Sequence, residues 1–273
     1  MNVYILVDAE GITGVVDHEL QVTPDSVRYG EMRGLFMSDL NAAIEGAVQA
    51  DAEQVVVYDM HYHGHNILLQ DLHPAARAVV GKPPKIDPPA GIDSSFDALV
   101  MIGYHSMAGT GRLLNHTYTL DMKALRLNGV LMGEIGLEAA MAGSQGVPLV
   151  MVSGDDGAEE ESRKLLGDVE FACVKYGTGE STALCIPPEQ SATLIRERVE
   201  AALLRLQDFK PYTAQAPYTA QAPYTIELEF FDESSTKKAA RIQGVKRIGD
   251  NSIELQGDDL SRLWEGFLHL FTA

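Results

Sequence analysis

Four short apolar runs, each stopped by polar residues, constrain this chain more than any other feature. Val3-Tyr4-Ile5-Leu6-Val7 runs into Asp8-Ala9-Glu10, and Gln54-Val55-Val56-Val57-Tyr58 into Asp59-Met60-His61. Leu99-Val100-Met101-Ile102-Gly103-Tyr104 ends at His105, and Leu149-Val150-Met151-Val152-Ser153 ends at Gly154-Asp155-Asp156. Runs without polar alternation suit strands buried on both faces. Helical periodicity lies between and after them. Residues 32–50 place Leu35, Leu40, Ile44 and Val48 on one face, residues 134–142 read as a helix that Gly143 or Gly146 closes, and residues 189–207 carry Leu194, Val199, Leu203 and Leu206. This alternation predicts an α/β fold, a mostly parallel sheet with helices on both faces. The Pro-rich stretch 82–91 reads as a loop.

The C-terminal part has a different texture. Residues 211–225 read PYTAQAPYTAQAPYT, a tandem six-residue unit whose prolines favour an extended connector. Beyond it, 226–231 and 252–256 read as strands and 260–271 as an amphipathic helix, a smaller α+β part. The expected division is a catalytic α/β domain over 1–208, a linker over 209–225 and a C-terminal region over 226–273. With 45% hydrophobic residues the chain can bury a full core, while a net charge of −18 argues against nucleic acid and anionic membranes as partners. No apolar run approaches the ~18 residues of a membrane span. The N-terminus opens directly on a strand, so no secretory signal is expected. Two cysteines, Cys173 and Cys185, read as reduced thiols of a cytoplasmic protein.

The polar strand ends hold the chemistry. Asp8 and Glu10 stand two residues apart and so point to one side of the extended chain. Two like charges that close need a cation between them or a shifted pKa. His61 and His105 end two further strands at the same edge. Glu134 lies in the glycine-flanked apolar run Leu131-Met132-Gly133-Glu134-Ile135-Gly136-Leu137, where burying a carboxylate is costly without a partner. His63 and His65 read as solvated loop histidines, and His73, before Pro74, as a turn residue. His116 lacks metal-ligand spacing, but a free imidazole near a metal is a candidate general acid or base. Asp8, Glu10, His61, His105 and Glu134 make a mixed N and O donor set that suits zinc, manganese or cobalt. Five such ligands fit two metals sharing a carboxylate, ~3.5–4 Å apart, as in metal-dependent hydrolases. Dinucleotide, P-loop and nucleophile-elbow motifs are missing.

These motifs together resemble the zinc-dependent D-aminopeptidases found with bacterial dipeptide-transport operons. The resemblance runs through Val7-Asp8-Ala9-Glu10-Gly11-Ile12-Thr13-Gly14, Asp59-Met60-His61, Leu72-His73-Pro74, Gly103-Tyr104-His105, Asn115-His116 and Gly133-Glu134-Ile135-Gly136-Leu137, and on through 148–156 and Val174-Lys175. It implies that Asp8, Glu10, His61, His105 and Glu134 hold two zinc ions with Asp8 as the bridge, and that His116 is catalytic. It also implies a metallopeptidase that removes N-terminal D-residues such as D-alanine from short peptides by metal-hydroxide attack, and a ring-shaped homodecamer. Glu180 departs from the family pattern, in which a basic residue is expected. The alternatives are another metal-dependent hydrolase on the same site, an amidase or phosphoesterase, or a non-enzymatic metal-binding protein.

Overall fold

A computed structural model describes residues 1–81, 91–213 and 223–271. The expected loop over 82–91 lies outside the described residues but for Gly91, and so do 214–222 of the PYTAQA repeat; Tyr224 and Thr225, at its end, already belong to a strand. The elements follow in the order β1 (Asn2–Val7), α1 (Tyr29–Gln49), β2 (Gln54–Asp59), β3 (Ala76–Val79), β4 (Ala98–Tyr104), β5 (Met122–Leu127), β6 (Val130–Met132), α2 (Glu134–Ser144), β7 (Leu149–Asp155) and α3 (Asp156–Leu166). Then come β8 (Glu170–Gly179), β9 (Thr182–Cys185), α4 (Pro188–Leu204), β10 (Tyr224–Phe230), α5 (Glu233–Ala239), β11 (Val245–Arg247), β12 (Ser252–Gly257) and α6 (Leu260–Leu268). Among the described residues no helix is long and apolar enough to cross a membrane.

The first sheet runs β3-β2-β1-β4-β7-β8-β9 and is parallel except for β9, which pairs antiparallel with β8. Its strands bury both faces. Val3, Ile5, Val7, Val100 and Ile102 pack on one side beneath α1 and α4, which contribute Phe36, Leu40, Ile44, Ile195 and Val199. Tyr4, Leu6, Leu99 and Met101 point the other way, toward α2, α6 and the second sheet. The helices expected from periodicity are present, although Val48, assigned to the apolar face of α1, is 39% exposed. The face that packs is Met32, Phe36, Leu40, Ile44 and Ala47.

The second sheet is antiparallel, in the order β11-β12-β10-β5-β6. The β5–β6 hairpin turns at Asn128-Gly129, whose φ values of 50° and 79° are those of a tight primed turn. β10 pairs with β5, so mid-chain and C-terminal residues share one sheet. Its alternation is plain in β10, where Ile226, Leu228 and Phe230 are buried and the residues between them are not.

The chain leaves β1 for β2 and β3 on one side and returns through β4 and β7 on the other. β1 and β4 therefore flank the point where strand order reverses, and in open α/β sheets ligands bind in the crevice at the carboxyl ends of the strands at such a point.

Candidate metal centre

The polar ends of the first three runs meet in this crevice through Asp8, Glu10, His61 and His105, whereas Asp155 at the end of the fourth caps α3, accepting from Ala158 N. The chain leaving β1 cannot simply continue. Asp8 N donates to Ile102 O (2.8 Å) and Gly11 N to Gly103 O (2.7 Å), which folds the acidic segment over the end of β4. That crossing requires glycine at two places. A Cβ on Gly11 would overlap the Tyr104 carbonyl, and Gly103 has φ +77° with the Asp8 carbonyl where its Cβ would stand. Asp39 on α1 ties the segment from below, accepting from Thr13 N (2.9 Å) and Thr13 Oγ1 (3.1 Å). Asp59, at the end of β2, accepts from Asn66 N, Asn66 Nδ2 and Ile67 N, which fixes the loop that carries His61.

Three histidines of the crevice each have one ring nitrogen committed to a backbone carbonyl. His61 Nε2 donates to Val22 O (2.7 Å), His105 Nδ1 to Ser106 O (3.0 Å) and His116 Nδ1 to Leu114 O (3.0 Å). Those partners set the tautomers and leave the other nitrogen of each ring facing carboxylates. His61 Nδ1 lies 3.3 Å from Asp8 Oδ1 and 3.1 Å from Glu10 Oε2. His105 Nε2 lies 3.4 Å from Asp8 Oδ2 and 3.5 Å from Glu134 Oε1. His116 Nε2 is 4.0 Å from Glu10 Oε1, and its ring stacks flat on His105 with centroids 4.2 Å apart. Glu134 opens α2, and its Oε1 accepts from Tyr118 N (2.6 Å).

Asp8, Glu10, His61, His105 and Glu134 are all buried, while Asp8 Oδ2, Glu10 Oε2 and His105 Nε2 have no hydrogen-bond partner. Buried polar atoms are normally satisfied, so acceptors turned toward acceptors demand something positive between them. Protons are one answer. Burial opposes charging of His61 and His105, but Glu10 beside the first and Glu134 beside the second, with Asp8 shared, hold both imidazoles well above their ordinary pKa. Burial likewise pushes the Glu10 carboxyl up, yet His61 holds it well below the usual carboxylate range. A divalent cation is the other answer. Asp8, Glu10 and His61 offer atoms within 4.8 Å of one another, as do Asp8, His105 and Glu134, with Asp8 common to both groups, and Glu10, His105 and His116 make a third group. A backbone carbonyl bonded to the remote nitrogen of each histidine is the arrangement that orients imidazole ligands in metal sites.

The structure thus brings together all five sequence-predicted ligand candidates and His116. His63 and His65 stay exposed, and His73 is a turn residue whose Nδ1 accepts from Ala75 N. His18 was not singled out from sequence. It follows Asp17 in a short π-turn, its Nδ1 lies 3.8 Å from Glu10 Oε1, and its ring meets His116 edge-on. Nothing in its flanks signals this, because tertiary folding alone delivers the turn. The crevice opens into a pocket of about 460 Å³, with Val22, Met60, Leu120 and Leu268 as its apolar walls.

Comparison with known proteins supplies a family. The model of the peptidase family M55, described as D-aminopeptidase, matches residues 1–269. A D-aminopeptidase of Bacillus subtilis (strain 168) is 28% identical over 269 residues, covering 98% of this chain and 96% of its own. A solved structure described as the Zn-dependent D-aminopeptidase DppA from Bacillus subtilis, a self-compartmentalizing protease, superposes with a TM-score of 0.90. It is 27% identical and covers 100% of this chain and 97% of its own.

Proposed function

We propose, from the premise that the chain belongs to the D-aminopeptidase family M55, that its crevice is a two-zinc centre that releases N-terminal D-residues from short peptides. One observation carries the reading: two donor triads share Asp8 and contain buried atoms for which the protein supplies no partner. Asp8, Glu10 and His61 would hold one ion, and Asp8, His105 and Glu134 the other. Zinc supplies a Lewis acid for the scissile carbonyl and brings the pKa of water toward neutrality. Manganese or cobalt suits the same donors.

The remaining steps belong to the protein. His116 lies outside the two triads that share Asp8, although it forms a third donor group with Glu10 and His105; we assign it the proton-transfer role, for which its hydrogen bond to Leu114 O leaves Nε2 facing the pocket. Nε2 takes a proton as water attacks and returns it to the departing amine nitrogen. The apolar wall of Met60, Leu120 and Leu268 takes a small side chain such as that of D-alanine. A side-chain pocket on one side only would discriminate hands, since a mirrored side chain would displace the carbonyl, and ~1 Å of misplacement can cost about 10²-fold. The relative described as self-compartmentalizing supports an oligomer, which we take to be a ring homodecamer. The free thiols Cys173 and Cys185 fit a cytoplasmic setting.

The experiment is metal analysis of the purified protein beside a substrate panel. Two zinc ions per chain and hydrolysis of D-alanyl p-nitroanilide well above the L-isomer are expected. Equal rates on the two isomers would refute the D-specific part, and cleavage of p-nitrophenyl phosphate alone would replace the peptidase by a phosphoesterase.

A further inference from the structure

Lys175, on β8, is the one fully buried lysine among the described residues, and its side chain ends beneath the acidic segment that follows β1. Its Nζ donates to Glu10 O (2.5 Å), Ile12 O (2.8 Å) and Val15 O (2.5 Å). An ammonium has three donors, and here all three are spent on one segment. Asp155, its register neighbour on β7, and Asp39 on α1 offset the buried charge. The segment is thus gripped at both polarities: its carbonyls converge on a cation, and Thr13 N and Oγ1 donate to the Asp39 carboxylate. Glu10 is bound through its carbonyl on one side while its carboxylate faces His61 on the other.

Three carbonyl oxygens aimed at one point repel one another unless a cation sits there, and an apolar side chain of the same length would leave all three unsatisfied. We propose that Lys175 is a positioning residue: its buried ammonium gathers the Glu10, Ile12 and Val15 carbonyls and so holds Asp8 and Glu10 in the geometry that receives metal. The proposal rests on the reading of the crevice as a metal centre. It makes Lys175, which touches neither triad with a ligand atom, a determinant of metal affinity.

The test is zinc affinity by chelator competition in Lys175→Met and Lys175→Ala. Loss of a group that orients ligands typically weakens metal binding about 10–100-fold, and that loss is expected for both variants. Propylammonium added to Lys175→Ala should recover most of it, whereas 1-propanol, of the same size without charge, should not. A folded Lys175→Met with wild-type zinc affinity would overturn the proposal, as would equal recovery with both additives. If neither truncation folds, Lys175→Arg decides, because its planar fork keeps the charge but cannot aim three donors at one point. Weaker zinc binding and faster exchange of the Gly11 and Val15 amides in the metal-free protein are then expected, with β4 and β7 unchanged. Wild-type affinity and exchange would overturn it. A wild-type protein that takes up no zinc defeats the metal reading, while amide exchange in the metal-free Arg variant still tests the grip of Lys175.

Discussion

Two buried acids sit one turn apart on α2 and are treated in opposite ways. Glu138 is fully buried and accepts from the Tyr104 and Tyr118 hydroxyls, and Trp264 Nε1 in turn donates to Tyr118 Oη. Burial, with Glu138 as the next cause, keeps both tyrosines well above their ordinary pKa, so the donors stay donors. Glu134 faces His105 Nε2 in a cluster where Asp8 Oδ2 and His105 Nε2 lack hydrogen-bond partners, so that only an exchangeable proton or a metal ion can sit between them. The first acid is closed by neutral groups that cannot be displaced. The second is left open among other acceptors. A buried carboxylate is therefore not a site by itself, and what marks a site is the sign of the atoms that face it.

The largest effect that would sharpen this contrast is on the open side. Asp8→Ala removes the carboxylate common to the two triads, so both ions and all measurable turnover should disappear together. Full metal content in the folded variant would show that the triads are not joined through Asp8.

His116→Ala should come next. It belongs to the open cluster outside the two triads that share Asp8, within donor distance of Glu10 and His105. We expect unchanged zinc content and a fall in kcat on the order of 10²–10⁴-fold. Loss of zinc with activity would move His116 among the ligands.

A third effect follows from the protons that stand in for metal. His61 and His105 have folded pKa values above their ordinary 6.5, pushed there by Glu10 and Glu134 against the opposition of burial. In the metal-free protein their stabilisation is full below about pH 6.5 and is lost as pH rises through the folded values. Glu10 has the opposite sign: its stabilisation holds above about pH 4.5 and is lost as pH falls through its lowered value. Zinc must displace the imidazole protons, so affinity should rise up to about tenfold per pH unit for each proton released. Calorimetry of zinc binding in buffers of different ionisation enthalpy counts them, and a count of zero would contradict the open-cluster account.

The smallest effect belongs to the closed side. Glu138→Gln turns an amide toward a tyrosine O–H and should cost roughly 1–3 kcal/mol of stability, measured by denaturant unfolding, with zinc content unchanged. Zinc loss from the folded variant would erase the distinction between the two acids.

The parallel strands and the ligand candidates were legible because they coincide: each buried run ends in the residue that matters, and buried strands cannot hide their hydrophobicity. β5 and β6 were passed over because Met122-Lys123-Ala124-Leu125-Arg126-Leu127 is broken by charges, yet Asn128-Gly129 is a hairpin signal that the sequence does carry. β8 was missed because it ends in an exposed glycine-rich tail, Gly177-Thr178-Gly179. His18, Tyr118 and Lys175 leave no local trace. Their roles depend on what lies opposite after folding, and although Val174-Lys175 belongs to the family resemblance, nothing in its flanks says that the ammonium is buried.

The ligand candidates are spread along the chain, from Asp8 in the first strand-end turn through His61 and His105 to Glu134 at the start of α2. During synthesis the first of them emerges long before the last. Asp8, Glu10 and His61 all lie within the first 61 residues and need only β2 beside β1, whereas Asp8, His105 and Glu134 wait for β4 and the start of α2. If the crevice is the metal centre proposed above, a chain misregistered at β4 against β1 would complete the first group and not the second, and its zinc content would fall to one ion instead of none.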